Sequence, residues 1–477
     1  MSREWRDERI EELEAQLRER DARIAELERQ VAALGERLGQ NSSNSHLPPS
    51  SDSPDERRKR NEHKKWKSSS KKKRGAQPGH KGAHRELLPP DKVNKFVDLF
   101  PSECENCWGS LPQVPDLSPR RYQQTELPPV EPKTTEWRRH EVTCPCCGYR
   151  TRAAYDENVI PSSAFGPRLM AIIALVTGVY HLSRRKAVGL LSDLLGVELS
   201  LGALSQVEAR VGDAVKPAVD EAWNKVQEAR IKHTDGTSWS QAGVAMALWT
   251  IATTAVTVFK ILADSTKGTL ASLHGSLEGI LVSDRAKALG FWAMERRQIC
   301  WAHLLRKFVA FSERDGPAAA FGRQLLDYTG LLFEYWHDYK AGKLGRETFV
   351  AWMAPVRAQI ETLLTQAVAA DITGLSGSCA DILAHKAALF TFVEHDSVEP
   401  TNNHAEREIR AFVLWRRRSF GSQSIRGNIF AESLMTVAHT ARKQHRNVLA
   451  FLTACCRARA EGKSAPSLFE PHVPAAA

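Results

Sequence analysis

Three carboxylates have the type and placement to do chemistry together: Asp235 in His-Thr-Asp-Gly-Thr, Asp284 in Leu-Val-Ser-Asp-Arg, and Glu406 in Pro400-Thr-Asn-Asn-His-Ala-Glu-Arg-Glu-Ile-Arg410. Phosphodiester cleavage needs an aligned water or 3′-hydroxyl and a clamp for the charge that develops on the leaving oxygen. Two Mg²⁺ ions roughly 3.5 to 4 Å apart supply both. Hard cations of this kind take carboxylate oxygens, and these acids come from three separate segments. Each also has a plainer reading. Asp235 with Gly236 is a common turn pair, Asp284 is suited to cap a helix starting near Arg285, and Glu406 can complete a capping box with Asn403 or pair with Arg410.

The acids converge only if the surrounding elements bring them together. Residues 230–239, 245–253 and 255–262 are rich in Ile, Val, Thr, Trp and Phe and read as three adjoining strands. A short helix at 267–274 follows, then the apolar run Ile280-Leu-Val282 as a fourth strand ending at Ser283-Asp284. Asp235 and Asp284 lie side by side if these two strands are neighbours, and Glu406 arrives on a helix packed across the sheet. Residues 301–392 read as a helical insertion, and 402–462 as helices with an Arg-rich loop between them.

Arg407, Arg410 and Arg417 recur at near-helical spacing beside Glu406, with Arg416 and Arg418 adjoining. Such a run is either a solvated face or a set of guanidiniums that grip phosphate. Cys300-Trp-Ala-His303 lacks two of the four ligands of a zinc site. It is expected to supply a buried thiol and a hydrogen-bonded His303, with a DNA phosphate as a possible contact of that histidine.

The chain has 477 residues, and 66 Lys plus Arg against 56 Asp plus Glu leave a formal charge of +10, consistent with a polyanionic partner. Part of the excess is a Ser-rich basic run that includes Lys71, Lys72, Lys73 and Arg74 and contains too few aliphatic residues to bury a core. It is expected to be flexible and able to drape on phosphates. No apolar secretory region follows the charged first residues, and the stretch 169–182 is shorter than a membrane span. A cytoplasmic protein without membrane partners is expected. Cys104-Glu-Asn-Cys107 and Cys144-Pro-Cys-Cys147, with 36 residues between the pairs, read as two knuckles sharing one structural Zn²⁺ through Cys104, Cys107, Cys144 and Cys147. Residues 184–195 and 201–211, joined by a short Gly-containing turn, have helix-turn-helix grammar.

These motifs together resemble the insertion sequence 66 family of bacterial DDE transposases. The most specific match is Asn402-Asn-His-Ala-Glu-Arg-Glu-Ile-Arg410, supported by Cys300-Trp-Ala-His-Leu-Leu-Arg306 and by the basic Gly-Ala-Gln-Pro-Gly-His-Lys-Gly82. The resemblance implies an RNase-H-like core in which Asp235, Asp284 and Glu406 bind two Mg²⁺, with Mn²⁺ able to substitute. It also implies DNA contacts from His303, Arg306, Arg407, Arg410 and Arg416 to Arg418. The implied partners are transposon-end and target DNA and element-encoded accessory proteins, and the implied setting is the nucleoid. The sequence departs from the family pattern at Gly236, where Glu is common, at Arg285-Ala-Lys287, where Gly-Tyr is usual, and at Thr401, which replaces Asp. The rival readings are a non-catalytic zinc and helix-turn-helix regulator, and a metal-dependent nuclease without strand transfer.

The expected architecture is a multidomain α/β chain. It comprises a coiled-coil dimerisation helix (1–40), a basic flexible linker (41–87), a zinc-binding module (88–155) and a helical DNA-binding domain (156–227). The catalytic core follows in two parts (228–300 and 396–462) around a helical insertion (301–395), with a disordered tail (463–477). The first of these rests on Leu13, Leu17, Ile24, Leu27, Val31, Leu34 and Leu38, which fall at heptad a and d positions with Arg20 at one d. Removing residues 1–38 should lower the oligomeric mass in sedimentation. An unchanged mass would make this helix an ordinary amphipathic one docked on its own chain.

Overall fold

The computed structural model describes residues 3–45, 52–58, 86–155, 163–275 and 278–469. Lys71, Lys72, Lys73 and Arg74 lie outside them, as does most of the basic linker. The molecule is a mixed α/β protein. Helix α1 (Arg3–Leu38) is one uninterrupted element, and Leu13, Leu17, Ile24, Leu27, Val31, Leu34 and Leu38 on it are exposed. Strands β1 (Glu141–Thr143) and β2 (Arg150–Arg152) pair antiparallel across the second cysteine motif.

A helical layer precedes the main sheet. Helix α2 (Pro167–Ala174) runs into a π-helical turn at Leu175–Val179, where Gly178 comes close to Phe430 and Leu434. Helix α3 (Arg184–Leu195) begins on Ser183, whose hydroxyl accepts from the Lys186 amide, and stops at left-handed Gly196. Helix α4 (Leu201–Glu228) is capped in the same way by Ser200. The pair of helices read from the sequence is present. The second runs well past Val211, because Ala214, Val215, Ala218, Ala222 and Val226 continue its buried stripe.

The central sheet has the order β5-β4-β3-β6-β7. Strands β3 (Ile231–Gln241), β4 (Val244–Ala252) and β5 (Thr257–Leu262) form an antiparallel meander. Helix α5 (Lys267–His274) then crosses to β6 (Ile280–Ser283), which pairs parallel to β3 from Ile231↔Ile280 to His233↔Val282. Strand β7 (Arg297–Ile299) adds a further parallel edge. At three residues it is too short for its periodicity to be read from sequence.

Four longer helices follow, α6 (Trp301–Ser312), α7 (Pro317–Lys340), α8 (Arg346–Ala369) and α9 (Ser376–Leu383), and then a single helical turn at Thr391–Glu394. They share a core of Phe308, Leu325, Phe349, Ile360 and Phe392 with Val282 and Ile299 of the sheet. Gly322 lets α7 approach α6 closely, since a Cβ there would lie 2.3 Å from the Ser312 amide nitrogen. The chain then returns to the sheet as α10 (Asn403–Ser419), followed by α11 (Ile425–Lys443) and α12 (Val448–Ala460). Ile409 and Phe412 of α10 pack on Trp239, Leu248 and Phe259 of the sheet, and each fully buried side chain of this size contributes roughly 1.5–3 kcal/mol. Arg416, Arg417 and Arg418 form the last turn of α10, not a loop, because the apolar i, i+4, i+7 spacing of Ala405, Ile409 and Phe412 carries the helix through them. Among the described residues no helix is long and apolar enough to cross a membrane.

Candidate functional site

The β3–β6 register determines where the first two acids fall. His233 lies opposite Val282, so two residues further on Asp235 lies opposite Asp284, where β6 has ended. Asp235 is therefore inside a strand and not at a turn, and its Oδ1 accepts from the Gly236 amide at 2.9 Å. Asp284 Oδ1 accepts from the Ala286 amide at 2.9 Å, ahead of a single 3-10 turn at Lys287–Leu289. The guanidinium of fully buried Arg297 donates to the Ser283 hydroxyl and to the Asp284 carbonyl, both at 3.0 Å, and holds this turn from below.

Glu406 is delivered by α10. The helix is preceded by Asn402, which is fully buried and makes no side-chain cap. Its Nδ2 donates instead to the Thr234 carbonyl at 2.7 Å, and its amide donates to Cys300 Sγ at 3.1 Å. Cys300 in turn donates its amide to the Ser283 carbonyl at 2.8 Å. Thr234, Ser283 and Asn402 are thus linked, and they immediately precede Asp235, Asp284 and helix α10. The capping box with Asn403 is not formed, and Glu406 faces His303 Nδ1 at 3.6 Å and Arg306 Nη2 at 3.9 Å, not Arg410.

Asp284 and Glu406 lie near enough to Asp235 for their charges to act on it, although among the described residues the three acids are not gathered into one cluster of ligand atoms. Burial pushes the Asp235 carboxyl up to about 7, and the charges of Asp284 and Glu406 add to the rise. Glu406 is also raised, first by burial and then by Asp284, against the pull of Arg306. Two residues on, burial of Glu408 is outweighed by His439 and Lys443, which hold that acid down at about 2. Glu408 lies 2.5 Å from His439 Nδ1 and 3.1 Å from Lys443 Nζ, and these contacts fasten α10 to α11.

An open cleft of about 500 Å³ runs beside Asp235 and Asp284 over Gly236, Ala247 and Trp249. The Trp249 indole covers Gly236, and a Cβ there would lie 2.7 Å from the ring. This accounts for glycine after the first acid, because no side chain fits under Trp249.

Cys300 is buried as expected, and the structure adds Glu406 as a third neighbour to the Cys-x-x-His motif. The ligand atoms of Cys300, His303 and Glu406 all lie within 4.8 Å of one another and could hold a metal ion. The third ligand comes from a helix 103 residues further along the chain, which a local motif cannot reveal. Burial pushes the Cys300 thiol up to about 11.

The cysteine pairs 104/107 and 144/147 each close an identical loop. The amide of the first cysteine bonds to the carbonyl five residues on, Gly109 or Tyr149, and the residue four on, Trp108 or Gly148, is left-handed. Amides of Asn106 and Cys107, and of Cys147 and Cys146, lower the Cys104 and Cys144 thiols. Among the described residues the two loops are not gathered into one cluster of ligand atoms.

Of the arginines, Arg407, Arg410, Arg417 and Arg418 are exposed. Arg416 is committed to β3, where its Nη1 donates to Thr237 Oγ1 at 3.1 Å and to Ser238. Sequence reasoning missed Asn402, Trp249 and Arg297. The Asn402-Asn403 doublet was the only available signal among them.

The acids at the rim of the mixed sheet are flanked by exposed guanidiniums. The chain belongs to the transposase IS66 family, whose model matches residues 162–429, more than half of its length. It is accordingly a DNA-processing enzyme with a transposase role. A family of unknown function (DUF6444) matches residues 3–86. Comparison with curated proteins finds no match.

Because the folded Asp235 carboxyl holds its proton up to about pH 7 while the unfolded one loses it near 3.8, stability from this group falls as pH rises through that window. In a chelator, Asp235→Asn should raise the melting temperature at pH 8 and leave it unchanged at pH 4. Equal melting of the two proteins at pH 8 would contradict the crowding of charge at this position.

Proposed function

We propose that the chain is a DDE transposase that binds the terminal inverted repeats of its element, hydrolyses a strand at each end, and joins the freed 3′-hydroxyl to target DNA. The observation that carries this reading is the opposition of Asp235 and Asp284 across β3 and β6, with Glu406 near enough for its charge to add to the rise that burial imposes on Asp235. The meander, the parallel β6 and β7, and the crossing α10 would be an RNase-H-like core, with α6 to α9 as its insertion.

The donor set fits Mg²⁺. All three acids offer hard oxygens, and Glu406 Oε1 is buried without a hydrogen-bond partner, as an atom reserved for a cation would be. Asp235, Asp284 and Glu406 would hold two ions, with Mn²⁺ able to replace them. When bound, the ions lower the barrier to deprotonating the nucleophile and neutralise charge on the leaving oxygen. The chain's own groups do the positioning. Arg306 and His303 orient the Glu406 carboxylate, Asn402 sets the start of its helix, and Arg407 and Arg410 face solvent where phosphates would lie. The exposed heptad positions of α1 would pair protomers so that two ends are cut together. The two cysteine loops, with amides aimed at their first thiols but not gathered into one cluster here, would come together on sharing a structural Zn²⁺.

Purified protein, labelled element ends and Mg²⁺ separate the readings. Nicked and joined products are expected, and Asp235→Asn, Asp284→Asn and Glu406→Gln should each lower the rate at least about a thousandfold. Nicking without joining would indicate a nuclease, and binding without nicking a regulator. Cleavage that survives loss of any one acid would remove that residue from the site. Metal analysis should find about one zinc per chain, retained in the acid variants and lost in Cys104→Ser with Cys144→Ser. Reduced protein free of zinc would refute the shared site.

A further inference from the structure

We propose that Phe420 is a wedge that stacks against or between bases of the bound DNA about five or six nucleotides from the phosphate cut at the acid cluster. This rests on the DNA-cutting reading above and names a contact that the acids do not require.

Phe420 ends α10 in the left-handed conformation, φ 57° and ψ 23°, which is unusual for a bulky residue. Glycine or asparagine would end the helix without that strain. The ring gains no burial in exchange, since 79% of the residue is exposed. Its backbone is nevertheless held firmly. Gly421, at φ 101°, lies so close to Ser240 that a Cβ would be 2.1 Å from its carbonyl oxygen. The Ser422 amide donates to that same oxygen at 2.9 Å, and the Ala242 amide donates to the Ser422 carbonyl at 2.8 Å. Asn428 braces the other side, accepting from Trp239 Nε1 at 3.1 Å and donating to Gln241 at 2.6 Å. An exposed aromatic on a pinned, strained turn is preorganised to meet something.

Placement indicates what it meets. Arg407, Arg410, Arg417 and Arg418 are all exposed, and their spacing of three, seven and one keeps them on one face of α10. They form a basic track from Glu406 at one end of the helix to Phe420 at the other. Fourteen residues at 1.5 Å make that path roughly 21 Å. Along β3, the five residues from Asp235 to Ser240 span about 17 Å. At 3.4 Å per nucleotide, both routes give about five or six steps of one strand. A polyanion lying on the arginines with its reacting phosphate at the acids would bring a base step to Phe420, where an apolar wedge unstacks it.

The test uses full-length Asp235→Asn protein, which should bind without cutting. The probes are duplexes from the DNA flanking the reading frame, with 2-aminopurine placed singly at each of the twelve positions from the cut mapped with wild-type protein. A several-fold rise in fluorescence is expected at one or two adjacent positions near the fifth or sixth. Phe420→Ala in the same background should abolish the rise and weaken binding about tenfold, while Phe420→Trp should retain both. Arg417→Ala with Arg418→Ala should lower the salt dependence of binding and leave the position of the signal unchanged. Binding with a flat profile, or a rise that persists in Phe420→Ala, would overturn the wedge and leave the cutting reading intact. So would a fall in oligomeric mass in Phe420→Ala with the fluorescence profile unchanged, which would make Phe420 a contact between copies. Absence of DNA binding would overturn both.

Discussion

The site depends on one buried asparagine. Asn402 is fully enclosed and spends its side chain on the Thr234 carbonyl and its amide on the Cys300 sulfur, while Trp301 donates its amide to the Pro400 carbonyl at 2.8 Å. These bonds hold the three segments in one arrangement. They join the middle of β3 and the end of β6 to the start of α10, which lies more than a hundred residues further along the chain, beyond the helical insertion. Replacing this polar junction with an apolar one would leave the Thr234 carbonyl, in the strand that bears Asp235, unsatisfied.

The arrangement brings like charges together. Burial and the neighbouring carboxylates hold Asp235 near neutrality up to about pH 7, a penalty that a divalent cation would reverse. Around this rim several contacts tie the elements to one another. Arg297 supports the turn that bears Asp284, the Glu408, His439 and Lys443 group fastens α10 to α11, and Arg416 fastens its last turn to β3. Arg407, Arg410, Arg417 and Arg418 remain exposed on a helix fastened to β3 and α11.

Much of the sheet region that bears the acids was legible in the sequence. The strands carrying Asp235 and Asp284 follow from short β-branched and aromatic runs, and α5 and β6 fall within a residue of where their periodicity puts them. Helix α10 follows from the spacing of Ala405, Ile409 and Phe412, although charge-rich Arg416 to Arg418 disguised its last turn as a loop. Strand β7 was not legible, because three residues carry no period. The role of Cys300-x-x-His303 was incomplete for a different reason. Its third neighbour is Glu406, supplied by packing.

The sequence by itself determined the chemistry available: three carboxylates in separate segments, two paired-cysteine loops, an arginine-rich helix and the family to which these belong. Those properties are local, written in residue type and in spacings of two to four. Tertiary structure alone decided that Asp235 and Asp284 are opposite one another, that Asn402 links three segments, that Gly236 must be glycine beneath Trp249, and that Arg416 is bound inward while Phe420 is turned outward. Each of these depends on which strands pair and how closely α10 approaches β3. Hydrogen-bond satisfaction and packing across the whole chain select that pairing, and no single stretch encodes it.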